Sequence, residues 1–227
     1  ANACRALSAA ALSSARQAGD SYHEAVAHQA LALLALGAGR PEAAIVELEP
    51  LARRWAASSV VEPSVVRFVP DLIEAYLMAG NPAEGALWLG RFTQIAREAD
   101  RTWAMAACAR CEGLLADSDG FDDPFRRALE LLEPSALALD RARTQLAYGE
   151  RLRRRGRRRD ARTQLWAAHH TFAAVAAAPW QARAAAELRA TGEQMADEVA
   201  PLPELLRARV AEGADHEGAR VADAVDG

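Results

Sequence analysis

An all-α fold, an α-solenoid of stacked helical hairpins, is the architecture this sequence predicts. Three observations point to it. Turn punctuation recurs at a nearly fixed interval, apolar residues follow helical spacing between the turns, and no sustained β-branched, alternating run occurs in the 227 residues.

The punctuation falls at Gly39-Arg40-Pro41, Gly80-Asn81-Pro82, Asp119-Gly120-Phe121 and Gly156-Arg157-Arg158, with the glycines 41, 40 and 36 residues apart. Each follows an apolar helix end: Leu33-Leu34-Ala35-Leu36, Ala75-Tyr76-Leu77-Met78, Gly113-Leu114-Leu115-Ala116, and the stretch from Tyr148 to Leu152. Pro41 and Pro82 stand just after the turn, where a proline in the first helical turn costs no hydrogen bond. A second joint recurs between these. Ala15-Arg16-Gln17-Ala18-Gly19-Asp20 resembles Ala96-Arg97-Glu98-Ala99-Asp100, and each leads into an aromatic residue opening the next helix, Tyr22 or Trp103. Ala176-Ala177-Ala178-Pro179-Trp180 plays the same part further on. Such a period, with two joints per repeat, predicts tetratricopeptide-like hairpins.

The segments between joints are amphipathic. Val65, Val69, Leu72, Ile73 and Tyr76 follow i, i+4, i+7, i+8, i+11, and Trp88, Phe92, Ile95, Ala96 and Ala99 repeat that pattern. Ala161, Leu165, Ala168, Phe172 and Val175 do so more loosely. One hairpin cannot bury such a stripe alone, whereas stacked hairpins can.

Composition agrees with this and narrows the function. Alanine dominates and only 6% of residues are aromatic, so the core is expected to use small side chains and closely approaching helices. The formal charge of −4 gives neither nucleic acid nor a membrane as a default partner. All 27 basic residues are arginine, a bias that fits a GC-rich genome; the missing lysine excludes a phosphate-loop lysine, a Schiff base and a lysine general base. Three cysteines, Cys4, Cys108 and Cys111, form no disulfide framework and suit a reducing, cytoplasmic setting. No apolar run approaches the roughly 18 residues of a membrane span. The apolar stretch Ala9–Leu12 is followed by Arg16 where a signal cleavage region would be small and uncharged, which disfavours export. The chain does not begin with Met and opens inside a helical pattern, so a piece of a longer protein is expected.

No catalytic constellation emerges, and the chain is expected not to be an enzyme, with no cofactor and no metal. Cys108-Ala109-Arg110-Cys111 spells CxxC but falls mid-helix without a second ligand pair, the setting of small packing residues. His169 and His170 are adjacent on a helix and diverge by about 100°. His23 and His28, five apart, chelate no better. The five tryptophans, Trp55, Trp88, Trp103, Trp166 and Trp180, sit where core or groove packing is the default.

In several ordered stretches the chain resembles the tetratricopeptide-like region of large ATP-binding LuxR-type transcriptional regulators, the group that includes the maltose regulator. They are Glu62-Pro63-Ser64-Val65-Val66-Arg67-Phe68-Val69-Pro70-Asp71-Leu72-Ile73-Glu74-Ala75, Ala109-Arg110-Cys111-Glu112-Gly113-Leu114-Leu115-Ala116, residues 141–154 and residues 180–192. The likeness spans residues 20 to 195. It implies a helical-repeat domain over 1–195 and, over 196–227, an acidic segment resembling the start of a LuxR-type helix-turn-helix. There Leu202-Pro203-Glu204-Leu205 and Val210–Ala214 look like the opening helix and turn, while Asp215–Ala222 departs from the family pattern and the recognition helix is missing.

The function expected from the resemblance is a non-catalytic sensor or coupling segment of such a regulator, binding a small-molecule effector or a protein partner. DNA would be reached only through a helix-turn-helix that is incomplete here. A free-standing tetratricopeptide-type adaptor for protein–protein interaction is the alternative, and self-association through the solenoid ends is compatible with either. The binding surface would be the inner face, lined by the first helix of each hairpin, where Arg67, Asp71, Arg110 and Arg143 are the candidates. A second candidate is the run Arg151–Arg162, eight arginines in twelve residues, including Arg154, Arg155, Arg157 and Arg158. It reads either as a solvated turn at a helix C-terminus or as a patch for an anionic partner. The segment from Glu193, with nine acidic and three basic residues, is one such partner.

Overall fold

The computed structural model describes residues 2–58, 62–117, 119–133 and 137–194, and no strand occurs among them. The helices are α1 (Asn2–Ala18), α2 (Ser21–Gly37), α3 (Pro41–Ala56), α4 (Val69–Met78), α5 (Pro82–Ala99), α6 (Thr102–Leu115), α7 (Asp122–Leu132), α8 (Ala138–Arg154), α9 (Arg158–Ala174) and α10 (Ala178–Ala190). A single 3-10 turn, Pro63–Val66, precedes α4. The described residues are all-α, as the sequence predicts. The segment 196–227, expected to begin a helix-turn-helix, lies outside the described residues, as does most of the acidic stretch from Glu193.

The joints follow from backbone chemistry. A helix leaves its last carbonyls unpaired, and a left-handed residue after the helix turns the next N–H back to satisfy one of them. Gly39, Gly80 and Gly156 have φ of 67°, 77° and 76°. The residue after each closes the loop: Arg40 N to Ala35 O at 2.9 Å, Asn81 N to Tyr76 O at 2.8 Å, and Arg157 N to Leu152 O at 3.0 Å. The joint expected at Gly120 is different. α6 ends at Leu115, Ala116 is extended (φ −55°, ψ 145°), and Gly120 is not left-handed, so a longer loop leads into α7.

The expected start of the fourth helix also shifts. Val65 lies in the 3-10 turn and is 44% exposed, whereas α4 begins at Val69 with Pro70 in its first turn. Proline has no N–H to give and clashes with the preceding turn, so Pro70 is tolerated only at that end. Val175, placed at the end of a stripe by the sequence, caps α9 and is likewise exposed.

Successive helices pack against one another from α1 to α10, and the alternate helices α2, α4, α6, α8 and α10 also touch in that order. α10 then returns to α2, so these five helices enclose a common centre. The outer helices contribute fully buried anchors: Leu48 from α3, Phe92 from α5, Phe125 from α7, Leu165 and Phe172 from α9. Burying each such side chain contributes about 1.5–3 kcal/mol. The inner helices are buried on more sides, and α4 buries every residue from Val69 to Tyr76. No helix among the described residues is long and apolar enough to cross a membrane.

Candidate functional site

Amid their apolar contacts, the five inner helices gather a cluster of charged side chains at their centre. Asp71 and Glu74 sit one turn apart on α4, Asp140 and Arg143 one turn apart on α8, and residues three apart share a helix face. α6 adds Arg110, α10 adds Arg183 and α2 adds Gln29.

Arg143 is the hub. It is 4% exposed and donates from Nη1 to Asp71 Oδ1 and from Nη2 to Glu74 Oε2, both at 2.6 Å. Gln29 Nε2 donates to the other Asp71 oxygen at 2.8 Å. Arg183 carries the network onward: its Nε donates to Glu150 Oε1 at 2.8 Å, and its Nη1 lies 3.7 Å from Glu74 Oε1. Bringing these charges out of water costs several kcal/mol per ion, which only close, hydrogen-bonded opposite charges can offset. Burial alone would raise the Glu74 carboxyl, but Arg143, Arg110 and Arg183 outweigh it and hold it below the ordinary glutamate range. At Glu150 burial prevails over Arg183, with Glu187 adding repulsion, and that carboxyl is raised. Arg143, which burial alone would lower, is held protonated by Asp71, Glu74 and Asp140.

The enclosure is closed by Trp180 of α10. Its Nε1 donates to the Leu33 carbonyl of α2 at 3.1 Å, and both Arg143 and Arg183 lie over its ring, at 4.9 and 5.6 Å. The ring rests on Gly37, where a Cβ would come within 2.7 Å of the indole.

On one side of this cluster a cavity of about 230 Å³ opens at the first turns of α4, α6 and α8. The four inner-face candidates, Arg67, Asp71, Arg110 and Arg143, all line it. Arg67 differs from its expected placement: it lies in the connection before α4 rather than on the helix, and its guanidinium stacks 4.5 Å over Trp103. Arg110 is 2% exposed, yet its Nε has no hydrogen-bond partner and its nearest carboxylate oxygen is Asp140 Oδ1 at 3.9 Å. Asp140 Oδ2 is also 3.7 Å from Arg67.

On the other side of the cluster lies a larger cavity of about 750 Å³, lined by Glu74, Glu150, Arg151, Arg154, Arg183 and Glu187 among others. Arg154 is thus the one member of the arginine turn's four candidates that reaches the inner network, donating to Glu150 at 3.4 Å. Arg155 pairs with Asp119 in the loop after α6. Arg157 donates to Asp122 Oδ2 at 2.6 Å and to Asp160 Oδ2 at 3.0 Å, and Arg158 is exposed at the start of α9. Acidic residues of neighbouring elements therefore take up part of the turn's charge.

Cys108 and Cys111 are buried free thiols on α6. Burial pushes them up to about 11 and about 12, the behaviour of packing residues. His169 and His170 pack on Trp166, with ring centroids at 5.6 and 5.3 Å.

No protein-family model, curated protein or solved structure matches the chain. The functional reading therefore rests on the site itself and on the sequence. Sequence reasoning did not single out Gln29, Glu74, Asp140, Glu150 and Arg183 as members of the network. Glu74 and Asp140 carried a usable signal, since each lies three residues from a candidate on its own helix. Nothing local marked Trp180 as the partner of Gly37.

Proposed function

We propose that this chain is a non-catalytic, effector-binding helical-repeat segment, an α-solenoid of tetratricopeptide-like hairpins that couples binding to another module in a LuxR-type regulator. One observation carries the reading: the polar faces of the inner helices converge on a cavity rather than packing shut. A segment whose only task was to space two modules would gain stability from an apolar centre, because buried ion clusters are often no more stable than well-packed apolar replacements. Keeping a charged centre beside a cavity fits a binding role. The link to LuxR-type regulators is carried by the ordered resemblances over residues 20 to 195.

A free-standing adaptor would lay an extended peptide along an open inner face. The seating of Trp180 on Gly37 spans that face and favours a small-molecule effector. Self-association through the ends also belongs to the reading, since α1 leaves most of its surface exposed, including Leu7 at 69%.

The test is the reading frame on either side of this chain. A nucleotide-binding module encoded before it and a complete helix-turn-helix after it are expected. A frame that holds neither module overturns the regulator reading and leaves the adaptor.

A further inference from the structure

We propose that the cavity at the first turns of α4, α6 and α8 is a site for a small organic carboxylate, its oxygens on the Arg110 guanidinium and its apolar body against Leu33, Leu139 and Trp103. This rests on the effector-binding reading above and names the effector's chemistry.

Arg110 carries the argument. A guanidinium offers five donors in a rigid fork, and burying one with donors unspent costs more than any neutral group of that size. At 2% exposure, Arg110 has an unpartnered Nε, and its one ion-pair contact among the described residues is 3.9 Å long. Arg143, buried to the same degree in the same cluster, also leaves its Nε unpartnered, but its Nη1 and Nη2 each donate to a carboxylate at 2.6 Å, whereas no carboxylate among the described residues comes within hydrogen-bond distance of Arg110. The contrast separates a structural arginine from one kept for something else. A planar carboxylate matches the fork with two parallel hydrogen bonds.

The surroundings favour an anion. Arg67 stands at the rim over Trp103, and Pro70, Trp103 and Asp140 belong to the first turns of three helices whose unpaired N–H groups give that end a positive potential. None of the three N-caps supplies a side-chain hydrogen bond to those groups. The volume, about 230 Å³, equals that of roughly eight liquid waters at about 30 Å³ each. That admits a small acid with an apolar body. Leu33 and Leu139 would hold such a body and offer a bare inorganic anion nothing.

Asp140 is the internal competitor. Its oxygens lie 3.7 Å from Arg67 and 3.9 Å from Arg110, beyond hydrogen-bond range of either. It balances their charge without saturating their donors, and a bound carboxylate must sit beside it. Removing its charge therefore tightens binding.

The experiment titrates the full chain with sodium benzoate, acetate and inorganic phosphate at constant ionic strength, by calorimetry and by tryptophan fluorescence. Benzoate is expected to saturate one site and to bind more tightly than acetate or phosphate. Arg110→Met should weaken it roughly tenfold or more, as should Arg67→Gln to a lesser degree, while Asp140→Asn should tighten it several-fold. Circular dichroism checks that each variant is folded; Arg67, exposed at the rim, serves if Arg110→Met is not. The proposal is overturned if benzoate does not saturate, if both arginine variants bind it unchanged, or if phosphate binds as tightly. Weaker binding in Asp140→Asn overturns it too, because a ligand that needs Asp140 carries a cation. A different compound that stabilises the chain through the same cavity would sink the carboxylate assignment and leave the effector-binding reading standing.

Discussion

Trp180 lies with its indole against the bare Cα of Gly37 and its Nε1 hydrogen on the Leu33 carbonyl, 147 residues away in sequence. Replacing Gly37 by alanine sets two effects against each other. Alanine is better than glycine in a helix by about 0.8–1 kcal/mol. The new Cβ, however, would stand 2.7 Å from the ring, and relieving such overpacking costs about 1–3 kcal/mol. A net loss of stability by urea denaturation is expected for Gly37→Ala. Gly90, exposed within α5 with nothing within 4 Å of a would-be Cβ, is the control, and Gly90→Ala should be stabilising.

Trp180 itself separates packing from hydrogen bonding. Trp180→Phe keeps an aromatic ring and removes the Nε1 bond to the Leu33 carbonyl, a cost of about 1 kcal/mol. Trp180→Ala also removes the surface on which Arg143 and Arg183 lie, and about 3–5 kcal/mol is expected. Equal losses in the two variants, by urea midpoint, would show that the closure does not depend on the ring.

The thiols divide sharply. Cys4 is exposed, while Cys108 and Cys111 are buried and held protonated near neutral pH. A disulfide-exchange reagent should titrate one thiol in the folded chain and three in denaturant. Rapid reaction of Cys108 or Cys111 in the folded chain would contradict their burial in α6.

Much of this fold is legible in the sequence because its causes are local. Gly39, Gly80 and Gly156 announce helix stops that need a left-handed residue, and Trp88, Phe92 and Ile95 announce a buried stripe by spacing alone. Gly120 misleads because the same residue also serves an ordinary loop. The inner candidates Asp71, Arg110 and Arg143 could be chosen as polar residues on faces that the expected stacking would turn inward. Which of them are spent on each other could not. That depends on the side-to-side order of α4, α6 and α8, and on α10 returning to α2, a contact with no pattern in the chain between.

The buried carboxylates should give opposite pH responses. Glu74 is held below the ordinary glutamate value of 4.5 in the folded chain. Its contribution is therefore complete above that value and is lost as pH falls from it toward the folded value. Glu150 is raised, so the folded chain binds its proton more tightly than the unfolded chain does. Its contribution grows as pH falls through the raised value toward 4.5. Urea midpoints across the acid range should show Glu74→Gln losing part of the acid sensitivity below 4.5, and Glu150→Gln losing part of the decline in stability as pH rises above it. A shared direction of change in both variants would contradict the assignment.

Arg110 and Arg143 make the last comparison, two arginines in one buried cluster whose removal is expected to cost very unequal amounts of stability. Removing Arg143 leaves Asp71 and Glu74 charged, buried and without their closest donor, each contact having been 2.6 Å. Breaking a buried pair from one side costs about 3–5 kcal/mol, because the remaining charge stays buried and under-compensated; Gln29 and Arg183 keep only their own weaker contacts, to Asp71 and Glu74. Arg143→Met should therefore be strongly destabilising. Both arginines leave Nε unpartnered, but Arg110→Met removes a guanidinium with no carboxylate among the described residues at hydrogen-bond distance, and it puts an apolar chain of similar length beside Leu139. What is lost is the attraction of Arg110 for Glu74 at longer range; what is relieved is the cost of its unspent donors. These oppose each other, and a change within about 1 kcal/mol is expected. Comparable large losses in both variants, by urea denaturation without ligand, would make Arg110 a structural counter-ion like Arg143 and remove the reason to assign it a ligand.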